Sequence, residues 1–245
     1  MLGLPPWRAL DRRWGAAVRT TRFSLLPRTV REHLRVIVDV GANRGDWTDA
    51  ILRLSKPDRV YAFEPNPSTF QLLEGRLAPL GVRCVQAAVG ATVGRATLRI
   101  EAQSELSSIR ELTARGRVLH GLEAAPTRQI DVPLVTLDTA LAGVNEISLL
   151  KLDVQGYEAD VLAGAQQVLR KTRCLLTEVL YERDYYAGAT SCLELARVIE
   201  DSSPLRLSCI SAPAMAPEGL GAWAEAVFVH PSALARAPAQ PAPSA

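Results

Sequence analysis

The sequence predicts an α/β fold with a mostly parallel, doubly wound sheet and an inserted β-hairpin. Short β-branched runs alternate with helical patterns over residues 35–90, and buried-strand patterns return after residue 147. A polar stretch between two alternating strands separates these halves. The 245 residues are 48% hydrophobic, which is enough for one sizeable core.

The first half of the chain follows a strand–helix alternation, in which Ser68 is positioned to cap the second helix. Such alternation produces right-handed βαβ units and a parallel sheet. The predicted strands are residues 36–38, 60–63 and 82–88, and the predicted helices are residues 47–55 and 68–77.

The second half combines an insert with a return to buried strands. We expect residues 95–137 to form the insert, with strands at 95–101 and 130–137 and a polar lid over 103–128. The remaining predicted strands are residues 147–152, 174–179 and 224–229, and the remaining helices are residues 157–171 and 193–199.

Composition and charge also indicate how the chain is divided into an arm, a domain and a tail. Eight arginines lie within residues 1–35, so residues 1–34 are predicted to be a basic arm that contacts a membrane or partner, or packs on the domain. The domain is expected over residues 35–230, with a disordered Ala/Pro-rich tail at 231–245. The net charge of +2 gives no indication of nucleic-acid binding.

The cysteine and histidine patterns suggest neither disulfides nor a metal site. Four cysteines occur without a C-x-x-C pair, which favours buried thiols in a reducing compartment and a cytoplasmic location. The three histidines are scattered, so no metal centre is expected. We find no apolar stretch of transmembrane length and no signal-peptide core.

The loop after the first strand has the sequence D-V-G-A-N-R-G at residues 39–45. Its glycines allow a sharp turn and a close approach to a ligand, although a plain strand–helix turn is the alternative. It lacks the G-x-G-x-x-G spacing that seats a pyrophosphate, and the next helix begins with Asp46. An acidic helix start favours the cationic sulfonium and ammonium groups of S-adenosylmethionine.

Glu64 follows the second strand, 19 residues after Gly45. An acid at this position accepts hydrogen bonds from ribose hydroxyls in nucleoside-binding folds. Its alternative is a helix N-terminal acid that the helix dipole stabilises. The glycine loop and Glu64 together favour the ribose interpretation.

Six motifs in order make the chain resemble the FkbM family of methyltransferases over about residues 35–180. They are V-D-V-G-A-N-R-G at 38–45, F-E-P-N-P at 63–67, A-A-V-G at 87–90, S-S-I at 107–109, V-T-L-D at 135–138 and L-K-L-D-V-Q-G-Y-E-A-D-V-L-A-G-A at 150–165. The resemblance implies a Rossmann-like class I methyltransferase fold with a seven-stranded sheet, and S-adenosylmethionine as methyl donor. It also implies O-methylation of a hydroxyl, often on a sugar of a glycan, glycolipid or natural product.

The resemblance also implies roles for individual residues. Glu64 would take the ribose, and Asp153 would lie beside the methyl group. Ser107 and Ser108 would face the site from the lid, with ordinary polar loop residues as the alternative. The donor's methionine end would contact Asp39, Gly41, Asn43 and Gly45, and its adenine would contact Asn66 and the backbone near Ala87 and Ala88. The family often has Glu where this chain has Gln155, which weakens any acid or base role at that position.

Candidates for catalysis come from the strand ends. A hydroxyl acceptor needs a base, for which Asp153 is the first candidate and Glu178 the second. Lys151 either orients the acceptor or pairs locally, and His120 is a lid base or an ordinary solvated side chain. Asp138 is interpreted as a helix N-cap. Tyr181, Tyr185 and Tyr186 either stack on a sugar or pack together.

Three other functions stay open. A nicotinamide-dependent oxidoreductase is disfavoured because the pyrophosphate loop is missing. A non-catalytic scaffold that binds S-adenosylmethionine and regulates a partner is the second alternative. N-methylation is the third, although the chain has Asp153-Val154-Gln155-Gly156 where amine methyltransferases often present an N/D-P-P-Y motif. The identity of the acceptor, a small molecule or glycan, and the oligomeric state are not specified by the sequence.

Overall fold

The computed structural model describes residues 22–122, 128–181 and 184–234. Its strands are β1 Val36–Val40, β2 Arg59–Phe63, β3 Val82–Val85, β4 Ala88–Val89, β5 Gly94–Ile100, β6 Arg128–Val135, β7 Leu149–Leu152, β8 Cys174–Leu180, β9 Arg206–Ile210, β10 Ala214–Met215 and β11 Gly221–Val229. Its α-helices are α1 Arg28–Arg31, α2 Asp46–Leu54, α3 Pro67–Leu77, α4 Ala114–Leu119, α5 Leu137–Ala140, α6 Glu158–Ala163, α7 Gln166–Arg170, α8 Cys192–Ser202 and α9 Pro231–Leu234.

The main sheet has the strand order β10-β11-β8-β7-β1-β2-β3, and β9 also pairs with β11. Strands β3, β2, β1, β7 and β8 run parallel, whereas β11 is antiparallel to β8. All residues of β1 are buried because helices cover both faces, with Val38 on one face and Ile37 on the other. This arrangement confirms the predicted doubly wound α/β fold.

The insert forms a second sheet of three strands in the order β4-β6-β5. Strands β5 and β6 are antiparallel, as predicted for the hairpin, and β4 runs parallel to β6. Part of the predicted lid is ordered as α4, while residues 123–127 lie outside the described residues.

Four element predictions are wrong in detail. The strand predicted over residues 82–88 ends at Val85, because Ala88 leaves the main sheet and pairs with Leu134 of the insert. The helix predicted over residues 157–171 is divided into α6 and α7. Asn66, rather than Ser68, caps α3 by accepting a hydrogen bond from the Ser68 amide. The described part of the main sheet has eight strands instead of the expected seven, because β9 and the two-residue β10, for which no strand was predicted, both pair with β11.

The break between α6 and α7 has two visible causes. A Cβ atom at Gly164 would lie 2.1 Å from the Gly90 carbonyl oxygen, so the chain passes unusually close to the insert there. The carboxylate of Asp138 then accepts hydrogen bonds from the amides of Gln167 and Val168 at the start of α7. Asp138 therefore caps a helix that is distant in sequence. The N-cap of its own helix α5, which was predicted to be Asp138, is Thr136.

The structure describes parts of the predicted arm and of the predicted tail. Residues 23–34 pack on the domain, which is one of the two arrangements expected for the arm, since Phe23, Leu26, Val30 and Leu34 are buried in the core. Residues 231–234 form α9 rather than a disordered tail, with Ala233 buried in that core. The rest of the predicted arm and tail, residues 1–21 and 235–245, lies outside the described residues.

Three further observations concern the described part of the chain. None of its helices has both the length and the apolar character needed to cross a bilayer. All four cysteines are present as free thiols. Over the same ranges, no group of three or more His, Cys, Asp or Glu side chains is arranged to hold a metal ion.

Candidate functional site

An open pocket lies where β1, β2 and β7 end and the insert begins. This is the edge of a doubly wound sheet at which ligands bind. Eight predicted site residues line this pocket: Gly41, Asn43, Glu64, Ala87, Ala88, Ser107, Ser108 and Asp153. Asp39, Gly45, Asn66 and Glu178 are predicted site residues that do not line it.

The glycine loop forms one wall of the pocket through its backbone. Gly41 has a φ of +79°, and a Cβ atom there would lie 1.9 Å from the Asp153 carbonyl oxygen. The amides of Gly41 and Ala42 both donate to the Phe63 carbonyl, which fastens the loop to the end of β2. Only glycine satisfies both the conformation and the close approach at position 41.

Asp39 and Gly45 shape the loop from behind. The Asp39 side chain is completely buried, accepts a hydrogen bond from Thr48 Oγ1 at 2.6 Å and forms an ion pair with Lys151 at 3.1 Å. Gly45 has a φ of +84° and begins α2 against the side chains of Leu73 and Leu77. Both residues thus support the pocket wall from behind, and neither lines the pocket itself.

Glu64 is buried at the end of β2 and lines the pocket. Its Oε2 atom accepts from the Asn43 amide at 2.8 Å, and its Oε1 atom accepts from the Asn66 amide and Thr69 Oγ1. Burial raises the pKa of this carboxyl, although these three donors oppose the shift. Asn66 contributes its backbone here, since its side-chain oxygen caps α3.

Ser108 connects the insert to the loop after β7. Its hydroxyl donates to the Gln155 carbonyl at 2.7 Å, and the Arg110 amide donates to the Ser108 Oγ atom. The neighbouring Ser107 hydroxyl accepts from the Glu101 amide within the insert. Ser108 therefore holds one wall of the pocket in place, while Ala88 supplies a small side chain to another wall.

Asp153 lies at the end of β7 with its side chain 37% exposed. Its carboxylate accepts from Gln155 Nε2 at 2.7 Å and is 3.4 Å from Lys151 Nζ. Lys151 also donates to the Gly41 carbonyl and pairs with Asp39. Burial alone would lower the pKa of Lys151, but the Asp39 and Asp153 carboxylates outweigh it and raise the pKa. Lys151 is thus a local ion-pair partner.

Two further carboxyls lie behind Asp153, on β8 and β11. Glu178 and Glu225 are directly opposite each other in the antiparallel pairing. Burial, with the Asp153 charge next, raises the pKa of Glu178 well above its usual value and the pKa of Glu225 to about 6. Glu225 was not among the predicted residues, because only the strand pairing shows that it opposes Glu178.

The aromatic residues of the loop after β8 pack together. Tyr185 and Tyr186 are buried with ring centroids 5.1 Å apart, and Trp223 packs on Tyr185. His120 hydrogen-bonds to the Tyr185 hydroxyl, and burial lowers the pKa of its imidazole. Of the two arrangements predicted for these tyrosines, Tyr185 and Tyr186 show packing rather than stacking on a sugar. Tyr181, in contrast, is exposed.

Two curated relatives align with this chain over part of their length. The 2-O-methyltransferase NoeI of Sinorhizobium fredii is 28% identical over 163 residues, which cover 62% of this chain and 66% of NoeI. The methyltransferase sdnD of Sordaria araneosa is 30% identical over 159 residues, 54% of this chain and 60% of sdnD. The chain therefore spans less than two thirds of either relative.

Solved structures of similar fold are methyltransferases. The FkbM methyltransferase from Methylobacillus flagellatus KT superposes with a TM-score of 0.52 at 16% identity, covering 79% of this chain and 43% of that one. Aeropyrum pernix fibrillarin, solved with natively bound S-adenosyl-L-methionine, gives 0.50 at 12% identity, covering 88% and 76%. These similarities confirm the predicted Rossmann-like methyltransferase fold.

The sequence itself matches a family model, described as the methyltransferase FkbM domain, over residues 39–202. The match begins at Asp39 in the glycine loop and extends through the insert, β7 and β8 to the end of α8. It confirms the resemblance based on the six ordered motifs. The chain belongs to the FkbM family of methyltransferases.

Proposed function

We propose that this protein is an S-adenosylmethionine-dependent O-methyltransferase whose acceptor is a hydroxyl of a sugar in a glycan, glycolipid or natural product. The observation that carries the proposal is the position of Asp153. Its partly exposed carboxylate lines the same pocket as Gly41 and Glu64, so a candidate base and a candidate donor site share one cavity.

The pocket fits the proposed methyl donor. Gly41 lines the pocket at the end of β1, and the buried Glu64 carboxylate lines it at the end of β2, where an acid can accept hydrogen bonds from ribose hydroxyls. Asn43 and Ala88 would complete the walls around the donor. When bound, S-adenosylmethionine supplies a methyl group activated by a positively charged sulfur.

The chain itself must supply acceptor positioning and proton removal. A sugar hydroxyl is protonated at neutral pH, and a positioned base typically contributes about 10²–10⁴-fold to such a reaction. Asp153 suits this role because Lys151 and Gln155 orient its carboxylate towards the pocket. Glu178 is less suited, because its raised pKa favours the neutral acid and it does not line the pocket.

The preference for oxygen over nitrogen rests on two supports. NoeI is named a 2-O-methyltransferase, and the D-V-Q-G sequence at residues 153–156 differs from the amine-methylating motif. A sugar acceptor fits the carboxylate and amide groups of Asp153 and Gln155, since both hydrogen-bond readily to hydroxyls.

Calorimetric titration with S-adenosylmethionine and NAD comes first, followed by transfer of labelled methyl from the donor to free and lipid-linked sugars. We expect donor binding, no NAD binding and an O-methylated sugar. Asp153→Asn should retain donor binding and lose roughly 100-fold or more in kcat. An unchanged kcat would refute the role of Asp153. Donor binding without turnover on any sugar or amine would favour the regulatory scaffold, and a methylated amine would refute the choice of oxygen.

A further inference from the structure

The side chain of Gln155 links the candidate base to the interior of the protein. Its Nε2 atom donates to Asp153 Oδ1 at 2.7 Å and to Glu178 Oε2 at 3.2 Å. Its Oε1 atom accepts from the Tyr186 hydroxyl at 2.8 Å. The amide therefore has a partner at each of its polar atoms, and one of those partners is the carboxylate that faces the pocket.

The chemistry of these partners fixes which way the amide points. The Asp153 carboxylate only accepts hydrogen bonds, so the NH₂ group must face Asp153, and it then also lies against Glu178. The phenol of Tyr186, which is completely buried, then donates to the amide oxygen. A side chain held at both ends in this way has little freedom to release Asp153.

The backbone beneath Gln155 is constrained in the same way. Gln155 has a φ of +58°, in the left-handed region that non-glycine residues rarely adopt. Glu158 accepts hydrogen bonds from the amides of Val154 and Gly156, and Ser108 donates to the carbonyls of Val154 and Gln155. A strained residue whose neighbours are all engaged is typical of a functional position.

From this geometry we infer that Gln155 is a positioning residue, whose amide holds the Asp153 carboxylate in the orientation that receives the acceptor's proton. This inference rests on the proposed function. Gln155 lines the pocket beside Asp153, but its own amide has no basic lone pair and does not take the proton. Its contribution reaches the acceptor through Asp153.

The test must consider every ionisable group around this amide. Besides Asp153 and Glu178, these groups are Lys151 from β7, Asp39 from β1, Glu158 from α6, Glu225 from β11 and the phenols of Tyr185 and Tyr186. All of these groups are present both in wild type and in the variants of position 155. The ratio of kcat between a variant and wild type therefore isolates the effect of residue 155.

The decisive variant is Gln155→Glu, which keeps the shape and replaces the NH₂ donor. At pH 8 the new carboxylate repels Asp153, and we expect kcat to fall roughly tenfold or more while the donor's Kd changes little. At pH 6 we expect the introduced carboxyl to be protonated, because it lies beside two other acids, so that it can again donate a hydrogen bond to Asp153. The variant-to-wild-type ratio of kcat should therefore rise at least about threefold on acidification.

Two further variants provide the controls. Gln155→Leu has no donor at any pH and should show the loss without recovery in acid. Gln71→Glu makes the same chemical change at an exposed position of α3 and should leave the pH profile unchanged. A Gln155→Glu enzyme with the wild-type pH profile would refute the inference, provided that its donor affinity and melting temperature are retained.

A measurement without acceptor separates this inference from the proposed function. In a carboxyl ¹³C NMR titration of the full chain, Gln155→Leu should raise the apparent pKa of the Asp153–Glu178 pair by about 0.5 or more. The reason is that the variant loses the NH₂ group whose hydrogen bonds to these carboxyls favour their ionised forms. An unchanged titration refutes the positioning role even if methyl transfer is found. A raised pKa without methyl transfer on any acceptor supports the positioning of Asp153 and counts against the proposed reaction.

Discussion

Replacing Lys151 by Met would remove the only ammonium within reach of the buried Asp39 among the described residues. Lys151 is 6% exposed, Asp39 is fully buried, and their charged atoms are 3.1 Å apart. Removing one partner of such a pair costs about 3–5 kcal/mol, because the remaining charge stays buried. Met keeps the aliphatic packing, and Thr48 still donates to Asp39, so we expect about 3 kcal/mol.

Equilibrium unfolding in urea measures this free energy of unfolding directly. Lys56→Met is the matched control, since Lys56 is exposed and its loss should change the free energy by no more than about 0.5 kcal/mol. The double variant Asp39→Asn, Lys151→Met should recover part of the loss, because the buried charge is then gone. A Lys151→Met protein within about 1 kcal/mol of wild type would refute the reasoning.

The pH range of that experiment follows from the direction of the pKa shift. Neighbouring carboxylates raise the pKa of Lys151 above its unfolded value, so the pair's contribution is fully present below the unfolded pKa. It is lost only as the pH rises through the folded pKa. The destabilisation by Lys151→Met should therefore be constant between pH 6 and 9, and a loss that disappears within this range would contradict the assignment.

Two further predictions concern packing and titration. Gly164→Ala places a Cβ atom 2.1 Å from the Gly90 carbonyl oxygen and should destabilise the protein by about 1–3 kcal/mol. Gly75→Ala, in the middle of α3 where a Cβ atom meets no other group, should instead stabilise it by about 0.5–1 kcal/mol. Thermal and urea unfolding that ranked the two variants equally would contradict this contrast. Burial raises the pKa of Glu158 to about 7, so its ionisation costs folding free energy as the pH rises from about 4.5 to 7. Glu158→Gln retains an acceptor for the Val154 and Gly156 amides and should gain stability relative to wild type between pH 5 and 8, and a pH-independent difference would refute this explanation.

The elements that the sequence predicts best are those that local pattern determines. Strands β1 and β2 and helix α2 follow from apolar runs that end at turn-forming residues, and the structure has them within one or two residues of the predicted ends. The glycine loop and Glu64 could be located for the same reason, because ligand sites in this fold occur at strand ends.

The errors arise where distant segments decide the outcome. The region 157–171 has a continuous helical pattern, yet Gly164 packs on Gly90 and Asp138 caps a new helix at Gln166. Ala88 extends an apolar run but pairs with Leu134 of the insert. Neither contact is visible in the local pattern, since its partner is separated by tens of residues in sequence.

Gln155 shows the same limit within the site. On the sequence alone, the exchange of an acid for an amide only weakens a catalytic role at this position. In the structure, the amide donates to two carboxylates that come from β7 and β8, and a buried phenol holds its other end. An ionised acid at this position would repel the Asp153 carboxylate, whereas the neutral amide donates a hydrogen bond to it. The departure from the family pattern is therefore best explained as part of the arrangement that orients Asp153.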